Sequence, residues 1–299
     1  MRSFPRWLPA LFLVACAGRF ATTAPPPAPI LPDSTAVLDA TSGAPITPAE
    51  LLRRAEAADF VLLGEVHDNA VHHQARGALL TAARARRPAV VFEQLARTAV
   101  SIPPPAPGET EEAWLDAHGF DRKSWKWPLH APVVDAAIAH ARGIWGSGLS
   151  RDALRAVVRR GTDAAPTPLG QLIRQAPLDS VAQAAIDQEL FEGHCGKLPS
   201  AMMPGMRAAQ EVRDASMTEA LMAAGGTGPA WLIAGDGHVR MDIGVPRFLR
   251  RLAPDKKRLV VGIVERGTDG AVPGAAAGRR YDVLIVTPPA TREDPCAGL

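Results

Sequence analysis

Short apolar runs along the chain alternate with longer stretches of helical periodicity. Five such runs lie at 60–63, 89–92, 230–234, 259–264 and 281–286. Because they lack the polar alternation of half-exposed strands, they predict strands that are buried on both faces. The periodicity between them predicts helices, with a helical excursion at 150–226. The pattern therefore indicates an α/β fold with a mostly parallel central sheet flanked by helices.

The N-terminus has a different pattern and is not expected to belong to this fold. Residues 1–15 contain two arginines followed by a short apolar run, as is typical of a secretory signal peptide. Small residues precede Cys16 as in bacterial lipoproteins, so Cys16 is predicted to carry a lipid; a plain cleaved signal peptide is the alternative. Residues 16–37 form a Pro-rich linker, and 38–299 form the domain. Ala17, rather than an aspartate, follows the cysteine, which favours an outer-membrane anchor facing the periplasm.

Charge and cysteine content narrow the function classes. The chain has 33 Lys and Arg residues against 31 Asp and Glu residues, so it lacks the basic field that nucleic-acid binding usually needs. No nucleic-acid partner is expected. Of the three cysteines, Cys195 and Cys296 remain after lipidation of Cys16. In an oxidising compartment they are predicted to form a disulfide; a thiolate ligand for a metal or haem is the alternative.

Three predicted strands run directly into polar side chains. In chain order these are Glu65 and His67, then Glu93, then His238 and Arg240. Because ligands bind beyond the carboxyl ends of parallel strands, we expect these side chains to converge at one edge of the sheet, where His72 and His73 could join them. Carboxylate and imidazole groups together can bind a divalent metal or perform acid–base chemistry. The structural alternative is an ion pair between Glu65 and Arg240, with histidines that cap helices.

Six segments are distinctive when they are taken together. They are LLGEVHDNAVHHQ (62–74), VVFEQL (90–95), HCGKLP (194–199), AAQEVRDASM (208–217), IAGDGHVRMDIGVP (233–246) and DPCAGL (294–299). In this order they resemble the ChaN family of haem-binding uptake lipoproteins, within the Tiki superfamily. The resemblance implies an envelope protein that binds haem for haem or iron uptake, as a homodimer enclosing a cofacial haem pair with tyrosine ligation.

The resemblance also implies candidate haem contacts. Where family members often have a tyrosine before an Ala/Pro pair, this chain has His130, and imidazole is a common axial ligand of haem iron. His67, His73 and Arg240 are the further candidates for cofactor binding. The single tyrosine, Tyr281, begins a predicted strand and is expected to be structural. Three tryptophans could form an apolar wall for the porphyrin, with core packing as the alternative: Trp114, Trp125 and Trp127.

A second hypothesis also follows from the resemblance, because some Tiki relatives are metal-dependent proteases and others hydrolyse esters. By position, Glu65, His67 and His238 would then be catalytic. With Glu93 they would hold a divalent transition metal, whose bound water is the nucleophile. A third hypothesis is a non-catalytic scaffold for an envelope partner, in which the polar strand ends are structural.

Overall fold

A computed structural model describes residues 29–267, 269–272, 280–294 and 296–297. The predicted signal peptide, Cys16 and most of the linker lie outside the described residues. The strands are β1 Ala36–Asp39, β2 Phe60–Gly64, β3 Ala89–Ala96, β4 Gly143–Gly148, β5 Ala230–Ile233, β6 Arg258–Glu265 and β7 Val283–Thr287. The α-helices are α1 Pro48–Glu56, α2 Ala70–Ala82, α3 Glu111–Ala117, α4 Ala131–His140, α5 Arg151–Arg160, α6 Thr167–Gln175, α7 Ser180–Gly193, α8 Met203–Ala224, α9 Asp236–Val239 and α10 Val245–Leu252.

The seven described strands form one sheet in the order β1-β7-β6-β2-β5-β3-β4. All neighbours are parallel except β1, which runs antiparallel to β7. The five predicted strands are confirmed, and α5 to α8 form the predicted helical excursion. The α/β prediction is therefore correct.

Two strands, β1 and β4, were not predicted from the sequence. The glycines of β4 explain why that strand was missed. The sequence of β4, GIWGSG, contains three glycines and resembles a loop. A Cβ atom at Gly146 would overlap the carbonyl oxygen of Ala96 on β3, so the close approach of these strands requires glycine there. The other unpredicted strand, β1, is a four-residue edge strand, which is too short to give a clear pattern.

Both faces of the sheet are covered, as the unbroken apolar runs predicted. On β2, Val61 and Leu63 pack in the cluster that includes α1, α2 and α4. Phe60 and Leu62 point the other way, into the cluster that includes α8 and α10. All four side chains are buried. Burying apolar residues on both faces is the main stabilising contribution to this layered arrangement.

The strand register brings three loops to the same edge of the sheet. Leu63 on β2 pairs with Ile233 on β5, and Ile233 pairs with Phe92 on β3. The residues that follow, Glu65 and Glu93 among them, therefore emerge at one level. The helix after β2 begins there too, because the Asn69 side chain accepts a hydrogen bond from the backbone N–H of Val71 at 2.9 Å.

The C-terminal tail crosses this edge and is held at two places. Arg292 donates hydrogen bonds to Asp68 at 3.0 Å and to Glu265 at 2.7 Å. Beyond it, Cys296 forms a disulfide with Cys195 in the loop after α7, which confirms the predicted pairing. Within the described ranges, none of the helices has the length and apolar character needed to cross a bilayer.

Candidate functional site

Glu65 is the centre of a buried polar cluster just beyond β2. Its carboxylate forms an ion pair with Arg76 on α2, and both side chains are fully buried. His67 Nδ1 donates a hydrogen bond to Glu65 Oε1 at 3.0 Å. Burial alone would raise the pKa of Glu65, but the Arg76 charge and the imidazoles of His130 and His67 hold it well below its usual range. Glu65 is therefore an anion in the protein interior.

Two neutral imidazoles complete this cluster. His73 and His130 are fully buried, with their ring centroids 4.0 Å apart. His73 Nδ1 lies 3.0 Å from Glu65 Oε2, and His130 Nε2 lies 3.6 Å from Glu65 Oε1. Burial lowers the pKa of His73 to about 3 and also lowers the pKa of His130. Neither ring nitrogen of His130 has a hydrogen-bond partner among the described residues.

Within the described part of the chain, three of these side chains form a group that could bind a metal ion. One ligand atom each from Glu65, His73 and His130 lie within 4.8 Å of one another. The sequence-based set of Glu65, His67, Glu93 and His238 does not form such a group there. Arg76 contacts two of the cluster's residues, since it pairs with Glu65 and donates to His73 Nδ1 at 2.7 Å. A guanidinium thus already supplies the positive charge that a metal would bring.

A second group of charged residues, next to the Glu65 cluster, extends from β3 to α8. His238 Nδ1 donates a hydrogen bond to Asp214 Oδ1 at 2.6 Å, and its Nε2 lies 3.5 Å from Glu93 Oε1. Burial opposes the charge on His238, but Glu93 and Asp214 outweigh it and raise its pKa to about 10. His238 is therefore an imidazolium between two carboxylates. A protonated imidazole has no lone pair for a metal, so His238 must lose this proton before it can act as a ligand.

His67 lies between the Glu65 cluster and the charged groups around His238. It is the exposed histidine of this site. Its side chain is 44% exposed, and its ring lies edge-on against Trp125 at 4.8 Å. Desolvation opposes its charge, but the hydrogen bond to Glu65 and the charge of Glu93 raise the pKa of His67. Its Nε2 makes no hydrogen bond within the described structure. Gly235 allows this position, because a Cβ atom there would lie 2.7 Å from His67 Nε2.

A cavity of about 560 Å³ opens beyond the carboxyl ends of β3 and β4. His67 does not line it but contacts a residue that does. Trp125, whose ring contacts His67, lines this cavity, and Glu93 on β3 lines it as well. The volume lies in the range of small-molecule and cofactor sites, roughly 300–1,000 Å³. The site therefore combines an exposed imidazole, an aromatic wall and room for a ligand.

Comparison with known families identifies the chain. Residues 51–249 match the family model described as haem-binding uptake, Tiki superfamily, ChaN. The chain belongs to this family. Its fold is similar to a solved structure reported for cofacial heme binding to ChaN of Campylobacter jejuni, with 18% identity and a TM-score of 0.66. The match covers 85% of this chain and 97% of that chain. No curated protein matches the chain.

Two sequence-based expectations for this ChaN-family protein are wrong. Glu65 does not pair with Arg240, because Arg76 is its partner and Arg240 pairs instead with Glu189 and Asp242. His72 does not join the Glu65 cluster. Its Nδ1 accepts from the backbone N–H of Val66 at 3.0 Å, and its Nε2 lies 2.9 Å from Thr287 Oγ1.

The aromatic residues divide as follows. Trp114 is in the core, where its Nε1 donates to Pro103 O at 2.8 Å, so the packing alternative holds for it. Trp127 packs partly buried against the same core, whereas Trp125 lines the cavity. Tyr281 is buried and donates to Asp236 at 2.5 Å, as a structural residue would.

Sequence reasoning missed two residues of the site, Arg76 and Asp214. Both lie on helices, not at strand ends, and only tertiary packing brings them to the site. A signal was nevertheless present for Arg76. It occupies a position of α2 that shares the buried face of Leu79 and Leu80, and a charged residue on such a face requires a partner.

Proposed function

We propose that this chain is a lipid-anchored haem-binding protein that acts in haem or iron uptake at the bacterial envelope. The observation that carries the proposal is the exposed imidazole of His67 against Trp125, which lines a cavity of about 560 Å³. Membership of a family named for haem-binding uptake supports it. The Cys16 motif supports a lipid anchor, and the residue after it favours the outer membrane with the domain facing the periplasm.

The residues at the cavity fit a haem group. His67 Nδ1 donates to the buried Glu65 carboxylate, and this hydrogen bond orients the ring. Because its pKa is raised, the ring must release its second proton before Nε2 has a lone pair for iron. A carboxylate behind the ring also increases the basicity of the ligand. Trp125 offers an apolar surface for the porphyrin. His67 would be the ligand for the electron-accepting iron centre that haem would supply.

His130, the ligand suggested by the resemblance, has a different role in this proposal. Its ring is fully buried between His73 and Phe120, so it cannot reach a haem in the cavity without a change of conformation. We therefore assign iron ligation to His67, and we assign to His130 and His73 the support of Glu65. Arg240 is held by carboxylates outside this cluster, and we assign it no haem contact.

Haemin titration of the purified protein tests the proposal. The wild type should give a saturable Soret shift, because iron gains an imidazole ligand. His67→Ala should weaken binding by at least about tenfold, the equivalent of 1.4 kcal/mol, whereas the matched His140→Ala variant should bind like the wild type. His140 ends α4, away from the cavity lining. A wild-type protein that gives no Soret change with stoichiometric haemin would refute the proposal.

Anchoring and assembly need separate measurements. Labelled fatty acid should be incorporated into the wild type and not into Cys16→Ser. Light scattering with and without haemin tests the proposed homodimer, which should form or strengthen when haem is bound. A protein that stays monomeric with haem bound would contradict this part of the proposal.

A metal-dependent hydrolase is the second candidate function, and the Glu65, His73 and His130 cluster favours it. Arg76 argues against it, because the Glu65 charge is already compensated. Elemental analysis of gently purified protein separates the two functions. A near-stoichiometric transition metal that is lost in His73→Ala would support the hydrolase, and a metal-free wild type would exclude it.

A further inference from the structure

The cavity that Trp125 lines contains a buried amide without a partner among the described residues. Gln94 on β3 is 3% exposed and lines the cavity. Neither its Oε1 nor its Nε2 makes a hydrogen bond within the part of the chain that the structure describes. An unsatisfied buried amide is unfavourable, and natural proteins usually keep one where water or a ligand completes it. Gln94 thus offers a donor and an acceptor at a position where a ligand has room.

The same cavity has an uncompensated positive charge. Arg213 on α8 lines it and makes no ion pair or hydrogen bond with any described residue. The other arginine of α8, Arg207, pairs with Asp187 at 2.7 Å. Arg151, which also lines the cavity, pairs with Asp121 at 2.5 Å.

The two carboxylates of the lining do not neutralise Arg213 either, since Asp121 pairs with Arg151. Glu93 is compensated by His238, and it accepts a hydrogen bond from the Gly235 backbone N–H at 2.8 Å. Burial opposes the Glu93 charge, but His238 and the other donors lower its pKa to about 2. Among the described residues Arg213 thus has no counter-charge, and it can pair with an anionic ligand.

We infer that Arg213 and Gln94 recognise the carboxylate groups of the ligand in this cavity. A guanidinium binds a carboxylate by charge-assisted hydrogen bonds, and an amide N–H₂ group is a further donor. The inference rests on the proposed function, in which these groups are the two propionates of haem. It adds that the site would discriminate between ionised and esterified porphyrins through Arg213 and Gln94.

The test compares haemin with its dimethyl ester, which keeps the iron and loses both negative charges. Wild-type protein should bind haemin about tenfold more tightly than the diester, as expected for one hydrogen-bonded charge pair. In Arg213→Gln this ratio should fall to near one, because haemin affinity falls and diester affinity does not. The matched control is Arg151→Gln, which removes a paired arginine from the same cavity and should keep the ratio.

Gln94→Leu provides a second variant whose folding is not at risk. Removing an unsatisfied amide should leave the melting temperature of the free protein unchanged or higher, while haemin binding weakens. The inference is overturned if Arg213→Gln keeps the wild-type ratio, if Arg151→Gln loses it equally, or if Gln94→Leu binds haemin as the wild type does.

Failure of the inference and failure of the proposed function are distinguishable. If wild-type protein binds neither iron porphyrin, the proposed function fails. The carboxylate inference is then decided with iron-free protoporphyrin IX, followed by tryptophan fluorescence. Binding that depends on Arg213 supports the inference, and absence of binding overturns it.

Discussion

Replacing Glu65 by glutamine removes the carboxylate that pairs with Arg76 in the interior. Both side chains are fully buried, so the change leaves a guanidinium without its counter-charge in a region that water does not reach. Breaking a buried ion pair in this way lowers the free energy of unfolding by about 3–5 kcal/mol. Domains of this kind are typically stable by about 5–15 kcal/mol, so the loss should be large and still leave a folded protein.

A matched variant separates burial from the chemical change. Glu50→Gln makes the same substitution in a carboxylate that pairs with Arg53 and Arg54 on the surface of α1. Its effect should be much smaller, because water and ions solvate the charges that remain.

Urea unfolding measures both variants. With a slope of about 3 kcal/mol per molar, the upper part of the usual range, the Glu65→Gln midpoint should fall by about 1–2 M. The pKa of Glu65 is held below its ordinary value of 4.5. The difference between wild type and variant should therefore be complete above pH 4.5 and disappear as the pH falls through the lowered pKa. Equal midpoint shifts for the two variants, or a difference that does not depend on pH, would show that the Glu65–Arg76 pair does not stabilise the fold as an ion pair.

Three further predictions concern stability. Gly146→Ala should lower the free energy of unfolding by about 1–3 kcal/mol, because the added Cβ atom overlaps β3. In the control Gly193→Ala the added Cβ atom meets no atom within 4 Å, so thermal melts should show no such loss. Equal melting temperatures for the two variants would contradict this. The pKa of His238 is raised to about 10, so its stabilising contribution should be complete below its ordinary pKa of 6.5 and be lost as the pH rises through 10. Urea unfolding of wild type and His238→Gln measures this contribution. A midpoint difference that stays constant from pH 6 to 10 would argue against it. Replacing Cys195 and Cys296 together by serine removes a cross-link across a separation of 101 residues and should lower stability by about 2–4 kcal/mol; an unchanged melting temperature would show that the bridge contributes nothing.

The parallel part of the sheet was predictable because burial on both faces leaves an unbroken apolar run. Val61 and Leu62 lie on opposite faces of β2, and both are buried. The same rule fails for β4, where glycine replaces apolar residues so that β3 can approach closely. The requirement for Gly146 comes from Ala96, far away in the sequence, and no local pattern carries it.

The candidate site was predictable where residues directly follow strands. Parallel register brings Glu65 and Glu93 to one edge whatever the helices do. Which partner each charge takes was not predictable, because Arg76 and Asp214 come from helices whose packing decides the pairing. The resemblance suggested His130 as a ligand by its position in the sequence. In the structure His130 is fully buried, whereas His67 is exposed.

Chemical rescue tests the assignment of His67 as the iron ligand most directly. Haemin is added to His67→Ala, the absorption spectrum is recorded, and free imidazole is then titrated into the sample. We expect the variant to lack the Soret band of the wild-type complex and imidazole to restore it, because the added ligand takes the place of the missing ring. If the haemin complex of the variant already has the wild-type spectrum and does not respond to imidazole, His67 is not the iron ligand.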